Sequence, residues 1–279
     1  MAIIFNYNNV EAEFLEKGVK RQKLITPERV NSDNVTTERI YIPSEATLEL
    51  RIDRDELAWL HLINGSISLH SEKQNYILDH KHFVLLPPDC NTVIKGNDDT
   101  VIFKASVKRA TRFDPDWNPE TIKLDLVNWT REPVLNSEFD ARQRIYMLTP
   151  NLAGTSAAKG EMILYPPGTE AANHHHEGAE HFQVILRGSA TFYLNGKPRK
   201  VSKGDTIYIY DNEQHYFIND GKAELVFIEY FVPGKYKTVW AEGAPVCTWH
   251  PSGKDINGEI PSRHIESHSS EEAHKLNSI

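Results

Sequence analysis

The amino-acid sequence predicts an all-β fold, a sandwich or barrel built twice. Three observations carry this: short alternating apolar runs, turn residues between them, and a second copy of the whole pattern. Strand pleat sends successive side chains to opposite faces, so a run of period two has one face to bury. In chain order the runs are Thr47–Ile52, Leu57–Ile63, Ser66–Leu69, Phe83–Leu86, Val101–Val107, Phe182–Leu186, Ala190–Leu194, Thr206–Tyr210 and Leu225–Phe231. Between them stand Asn64-Gly65, Pro87-Pro88, Gly96-Asn97, Pro166-Pro167-Gly168, Asn195-Gly196 and Asn219-Asp220-Gly221, which suit turns. Helical character is confined to Val10–Lys20 and to Ser269–Leu276, which opens with a capping serine and acids.

The repeat has a nearly constant offset. Leu62-Ile-Asn-Gly65-Ser-Ile-Ser-Leu69 matches Ile185-Leu-Arg-Gly188-Ser-Ala-Thr-Phe192, with the two glycines 123 positions apart. A repeated strand pattern implies a duplicated domain, because each copy must bury the same inward face. We therefore expect a first barrel over residues 1–112 and a linker over 113–137, where Asp, Pro, Trp and Asn replace periodicity. A second barrel is expected over 138–240, followed by an extension over 241–279 whose first part is anchored by Trp240 and Trp249, the rest being exposed tail.

Composition narrows the function. The chain has 279 residues, 39% apolar and 25% charged, with a net charge of −8, so it has a core and no overall basic footprint for nucleic acid. No apolar stretch approaches the roughly 18 residues of a membrane span, and no secretory signal opens the chain. Two cysteines, Cys90 and Cys247, make no disulfide framework, and a reducing, cytoplasmic setting is expected. No Walker-type loop, dinucleotide fingerprint or nucleophile elbow is present.

Histidines mark the chemistry. Of 13, none lies between Phe83 and Asn173, and then His174, His175, His176 and His181 fall within eight residues, with His215 after a later strand. At i, i+2 spacing His174 and His176 share a strand face and His175 points away, so the pair can converge on one ion that His215 closes from another strand. Glu180 lies in the same cluster.

These residues also carry a family resemblance. Pro167-Gly168-x5-His174-x-His176-x3-Glu180, running on to Gly188, resembles the first motif of the cupin superfamily. Gly204-x5-Tyr210-x-Asn212-x2-His215-x3-Asn219 resembles the second, with Tyr210 and Asn212 where proline and glycine are usual. With the repeat, the resemblance is to a two-domain cupin over residues 47–231. It implies two jelly-roll barrels in tandem and one divalent metal per chain: Fe(II) first, with Mn, Ni or Zn as alternatives. The implied ligands are His174, His176, Glu180 and His215. Counting back from Gly188 instead puts His181 at the glutamate position, and the two alternatives stay open here. In the first copy the corresponding positions are Arg51, Asp53, Leu57 and Val93, so no metal is expected there.

Further candidates surround the cluster. Glu229, the one charge in the apolar run Leu225–Phe231, is a candidate acid or base, against the simpler reading of a solvated edge residue. Gln183, Arg187, Tyr208 and Phe217 are candidate substrate contacts. The resemblance implies a metal-dependent enzyme acting on a small molecule, as a dioxygenase of a hydroxylated or dicarbonyl compound. The alternatives are a redox-neutral isomerase, decarboxylase or hydrolase of a small carboxylate, and a non-catalytic binding or storage protein. A homodimer is also expected of such barrels.

Overall fold

The computed structural model describes residues 1–70 and 75–266; the expected helix Ser269–Leu276 lies outside them. Two compact units form, Tyr7–Trp129 and Met1–Asn6 together with Thr130–Ile279. Each is a pair of antiparallel sheets, and the helices among the described residues are single turns.

In the Tyr7–Trp129 unit a sheet centred on Glu56–Asn64 and Thr100–Lys108 faces a four-stranded sheet, Thr47–Ile52, Cys90–Gly96, Ser66–His70 and Asn75–Asp79. Alternate residues of the facing strands, among them Leu60, Leu62, Ile67, Leu69, Ile94 and Ile102, bury one apolar core. Period two thus becomes an interior, as expected of a jelly roll. The helical expectation over Val10–Lys20 is corrected. Residues Glu13–Phe14 form a short strand and Glu16–Gly18 one 3-10 turn. Lys17 and Gly18 take left-handed backbone (φ 55° and 77°), which stops a helix there.

The second unit pairs a larger sheet with a five-stranded one. The larger runs Ile3–Asn6, Asp205–Ile209, Glu180–Arg187, Leu225–Val232, Lys159–Tyr165, Gln143–Leu148, Val134–Ser137, Trp249–Pro251. The smaller runs Lys197–Ser202, Ser189–Leu194, His215–Ile218, His174–Glu177, Lys237–Trp240. Between them lie Ile163, Ile185, Phe192, Ile207, Phe217 and Phe227.

The repeat is structural. Gly65 and Gly188 each stand where the chain passes from one sheet to the facing one, with φ of 76° and 79°. A Cβ on Gly188 would also lie 2.4 Å from the Glu224 carbonyl oxygen. Asn195-Gly196 closes the tight hairpin between Ser189–Leu194 and Lys197–Ser202, both residues at positive φ.

The expected boundaries need correction. The stretch 113–137 is no linker: Asp125–Asn128 pairs with His82–Leu86, and Val134–Ser137 pairs with Gln143–Leu148. Both are short strands whose polar residues hide the alternation. Residues 3–6 join the second unit, Ile3 opposite Tyr208. The first part of the 241–266 segment is anchored, with Trp249–Pro251 adding a strand and Cys247 and Trp249 buried, but the rest is not wholly exposed, since Ile265 is buried too. His61 is buried, and its Nδ1 has no hydrogen-bond partner.

Two outcomes follow. Gly188→Ala combines left-handed strain with a backbone clash and should lower stability by about 1–3 kcal/mol, read as a lower urea midpoint; an unchanged midpoint contradicts it. Burial pushes the His61 imidazole down to about 4 from the ordinary 6.5. Between those values the unfolded chain takes up a proton that the folded chain refuses, so stability falls as pH falls, by about 3 kcal/mol across the window. His61→Leu should reduce the acid sensitivity of thermal unfolding between pH 7 and 4, and an unchanged pH slope contradicts this.

Candidate metal centre

Two strands of the smaller sheet and one of the larger bring four imidazoles together. His174 stands directly opposite His215 across the strand pair, and His176 follows on the same face. His181 enters from Glu180–Arg187 in the facing sheet. Ring centroids lie 4.5 Å apart for His174–His215, 4.9 Å for His174–His176, 4.8 Å for His176–His181 and 4.7 Å for His181–His215. The Nε2 atoms of His181 and His215 are 3.2 Å apart.

Backbone carbonyls orient the rings. The Nδ1–H of His174 donates to Ala172 O and that of His215 to Glu213 O, both at 2.8 Å, which leaves each Nε2 a lone pair. His176 Nδ1 lies 3.2 Å from Thr238 Oγ1, and His181 Nδ1 is buried without a partner. Burial, then the neighbouring rings, holds His174, His176 and His181 well below the ordinary imidazole range. Burial pushes His215 down to about 4. His174, His176 and His215 bring ligand atoms within 4.8 Å of one another, and His181, His215 and Glu229 do the same beside them, a donor set that fits a divalent cation of borderline softness.

Glu180 is not among the groups brought together. The pairing of its strand is continuous from Glu180 to Ile185, and the one register shift lies between Ile185 and Arg187. No bulge rotates Glu180 inward, so it faces the side opposite His181 and accepts a 2.6 Å hydrogen bond from Tyr208 Oη. Tyr208 is thereby occupied away from the cluster, and Arg187 is exposed and pairs with Glu224. His175 faces away from the cluster, 3.7 Å from Glu177.

Below the imidazoles a polar row crosses three strands: Glu161, Glu229 and Gln183 are register partners. Glu229 is buried, not a solvated edge residue, with Oε1 accepting from Gln183 Nε2 at 2.6 Å and lying 3.7 Å from His181 Nε2. Burial and the adjacent Glu161 push it up to about 8. Burial alone would also raise Glu161, but Arg144 (3.4 Å) and Lys159 (3.2 Å) hold it below the usual carboxylate range. Lys159 is itself fully buried, donating to Tyr236 Oη at 2.7 Å and ringed by Tyr146, Phe231 and Tyr236. The sequence reading missed Lys159, Glu161, Arg142, Arg144 and Tyr236. A charge inside an apolar strand, the signal that exposed Glu229, was equally present at Lys159 and Glu161.

His174, His176, His215 and the polar row line a cavity of about 70 Å3. Phe217, Arg142, Trp240, Cys247 and Trp249 are also on its wall. Among the described residues no helix is long and apolar enough to cross a membrane.

Comparisons with known proteins bear on the fold. Residues 161–231 match the cupin domain family. A 63-residue stretch is 35% identical to an oxalate-binding protein of Thermotoga maritima, covering 23% of this chain and about half (52%) of that relative. Among solved structures, protein Ylba from E. coli superposes with a TM-score of 0.66 at 15% identity, over 84% of this chain and 91% of that one. Bacillus subtilis oxalate decarboxylase OxdC, whose Mn(II) centres have been studied, superposes at 0.66 and 17% identity over 85% and 78%.

If the four histidines hold the ion, His176→Ala or His215→Ala should abolish metal binding with the fold intact, and His181→Ala should weaken it at least tenfold. Glu180→Gln should leave it unchanged. Elemental mass spectrometry and circular dichroism on the four variants check this, and metal loss in Glu180→Gln alone would reverse the assignment. The match to the cupin domain family, residues 161–231, lies in the unit that carries the four histidines, and the fold is similar to those of the solved structures above.

Proposed function

We propose that the second unit is a metal-dependent cupin enzyme acting on a small carboxylate. The observation that carries this is the convergence of His174, His176 and His215, with His181 beside His215, on a cavity that two guanidinium groups also line. The four histidines would hold the ion, and bound there it supplies Lewis acidity toward a ligand oxygen, or redox chemistry if iron or manganese occupies it.

The rest falls to the chain's own residues. Phe231, stacked on both His181 (4.9 Å) and Tyr236 (4.1 Å), keeps water from the back of the imidazole cluster. Gln183 Nε2 fixes the Glu229 carboxyl, and Glu229 is the acid–base group of the cavity. Lys159 and Arg144 anchor Glu161, so the row keeps its arrangement whether or not a ligand is present. The two relatives named for oxalate favour redox-neutral carboxylate chemistry with manganese. The rival is an Fe(II) dioxygenase of a hydroxylated or dicarbonyl compound, which rests on the family resemblance.

Metal analysis of untagged protein should find about one transition ion per chain. Turnover of a carboxylate panel should continue under anaerobic conditions. Loss of turnover without O2 would favour the dioxygenase, and a chain that stays metal-free after reconstitution would overturn the metal-dependent reading.

A further inference from the structure

Part of the cavity lining comes from residues outside the cupin match at 161–231. Arg142 and Arg144 come from Gln143–Leu148 and the residue before it, and Trp249 from the strand added by the 241–266 segment. The Arg144 guanidinium carbon stands 4.3 Å from the Trp249 ring centroid, and that of Arg142 5.6 Å from it and 5.2 Å from the Tyr165 ring. Stacking on an aromatic face fixes the guanidinium plane and leaves the in-plane N–H groups for a planar anion.

Those N–H groups are only partly used. Arg142 Nε donates to Asp140 (2.7 Å), but its Nη atoms have only the neutral Tyr165 Oη and Cys247 Sγ, both at 3.4 Å. Arg144 donates to Tyr146 Oη at 3.2 Å and pairs with Glu161 at 3.4 Å, while its Nε is buried without a partner. A buried guanidinium with an idle donor is costly unless a ligand takes it up. The charges agree. Arg142, Arg144 and Lys159 pair with only two carboxylates, Asp140 and Glu161.

The wall is also aromatic. Tyr165, Phe217 and Phe227 form one cluster with centroid separations of 5.0–6.0 Å, and Trp240 lies 5.2 Å from His174. A ligand without hydrocarbon surface would leave that wall unused.

We propose that the cavity takes a carboxylate with a planar apolar body, held by Arg144 and Arg142 against Trp249, its body along Tyr165, Phe217 and Phe227 and its far end at the histidines. Only the far end rests on the metal-dependent reading. Arg142, Arg144 and Trp249 are then the specificity-determining residues, and all three lie outside the cupin match.

Isothermal titration of the full chain loaded with Zn(II), using benzoate, acetate and benzamide, tests this. Benzoate should bind about tenfold or more tighter than acetate, which lacks the body, and than benzamide, which lacks the charge. Arg144→Gln should lose roughly 10–100-fold for benzoate while benzamide stays within about twofold, and Arg144→Lys should recover part of the loss. Trp249→Leu, a second variant in case Arg144→Gln does not fold, should weaken benzoate more than acetate. Thermal midpoints near wild type establish that the variants are folded. Benzoate that binds no tighter than benzamide or acetate, that ignores Arg144→Gln, or that fails to bind at millimolar concentration overturns the proposal. Failure of the metal reading looks different: no zinc is retained, yet benzoate still depends on Arg144.

Discussion

The pleat of the Glu180–Arg187 strand is the constraint on which the interior of the second unit depends. With no bulge before Ile185, His181 and Gln183 face inward and Glu180 outward. A shift of one residue would place a carboxylate beside three imidazoles and send His181 to Tyr208. Instead the neighbouring strands offer Phe231 and Lys159 beside His181, then Glu229 and Glu161 beside Gln183. Two inward rows result, one of bases and aromatic rings, the other of carboxyls and an amide.

Burying such rows is expensive, and the chain offsets the expense by pairing. Three cations meet two carboxylates, Asp140 and Glu161, and burial beside Glu161 pushes Glu229 up to about 8. An unpaired charge here would cost several kcal/mol, so truncating any one member exposes its partners to the full desolvation penalty. The row is therefore a framework as much as a reaction site. The hydrocarbon of Tyr146, Phe231 and Tyr236 around the Lys159 ammonium makes the same point, since the cation is held by ring faces as well as by Glu161.

Much of this was legible in the sequence because strand pleat writes itself as period two. The expected runs overlap strands of both units, and Gly65 and Gly188 prove to be the same corner in two copies. Asn212, where the motif usually has glycine, sits at φ 64°, a conformation asparagine tolerates. Less legible were the edges. Asp125–Asn128 and Val134–Ser137 are four residues each, too short for alternation to show, and the pairing of residues 3–6 with 205–209 is a long-range choice that no local pattern encodes. The choice between Glu180 and His181 turned on the position of a bulge, which lies in the partner strand's register as much as in the strand itself. Arg142 and Arg144 flank no motif, and their role emerges only where Trp249 returns to meet them.

The strand Ile3–Asn6 has a consequence for how the molecule is made. Topologically, residues 7–129 are an insertion between the first and second strands of the other unit. During synthesis the partner edge, Asp205–Ile209, emerges some two hundred residues after the strand that covers it. Until then those early residues have no place to dock, and the first barrel can complete itself on the ribosome with its own leader still unpaired. Order of synthesis and order of sheet assembly are thus reversed at this edge. A fragment starting at residue 130 would present Asp205–Ile209 as a bare template for another chain's strand.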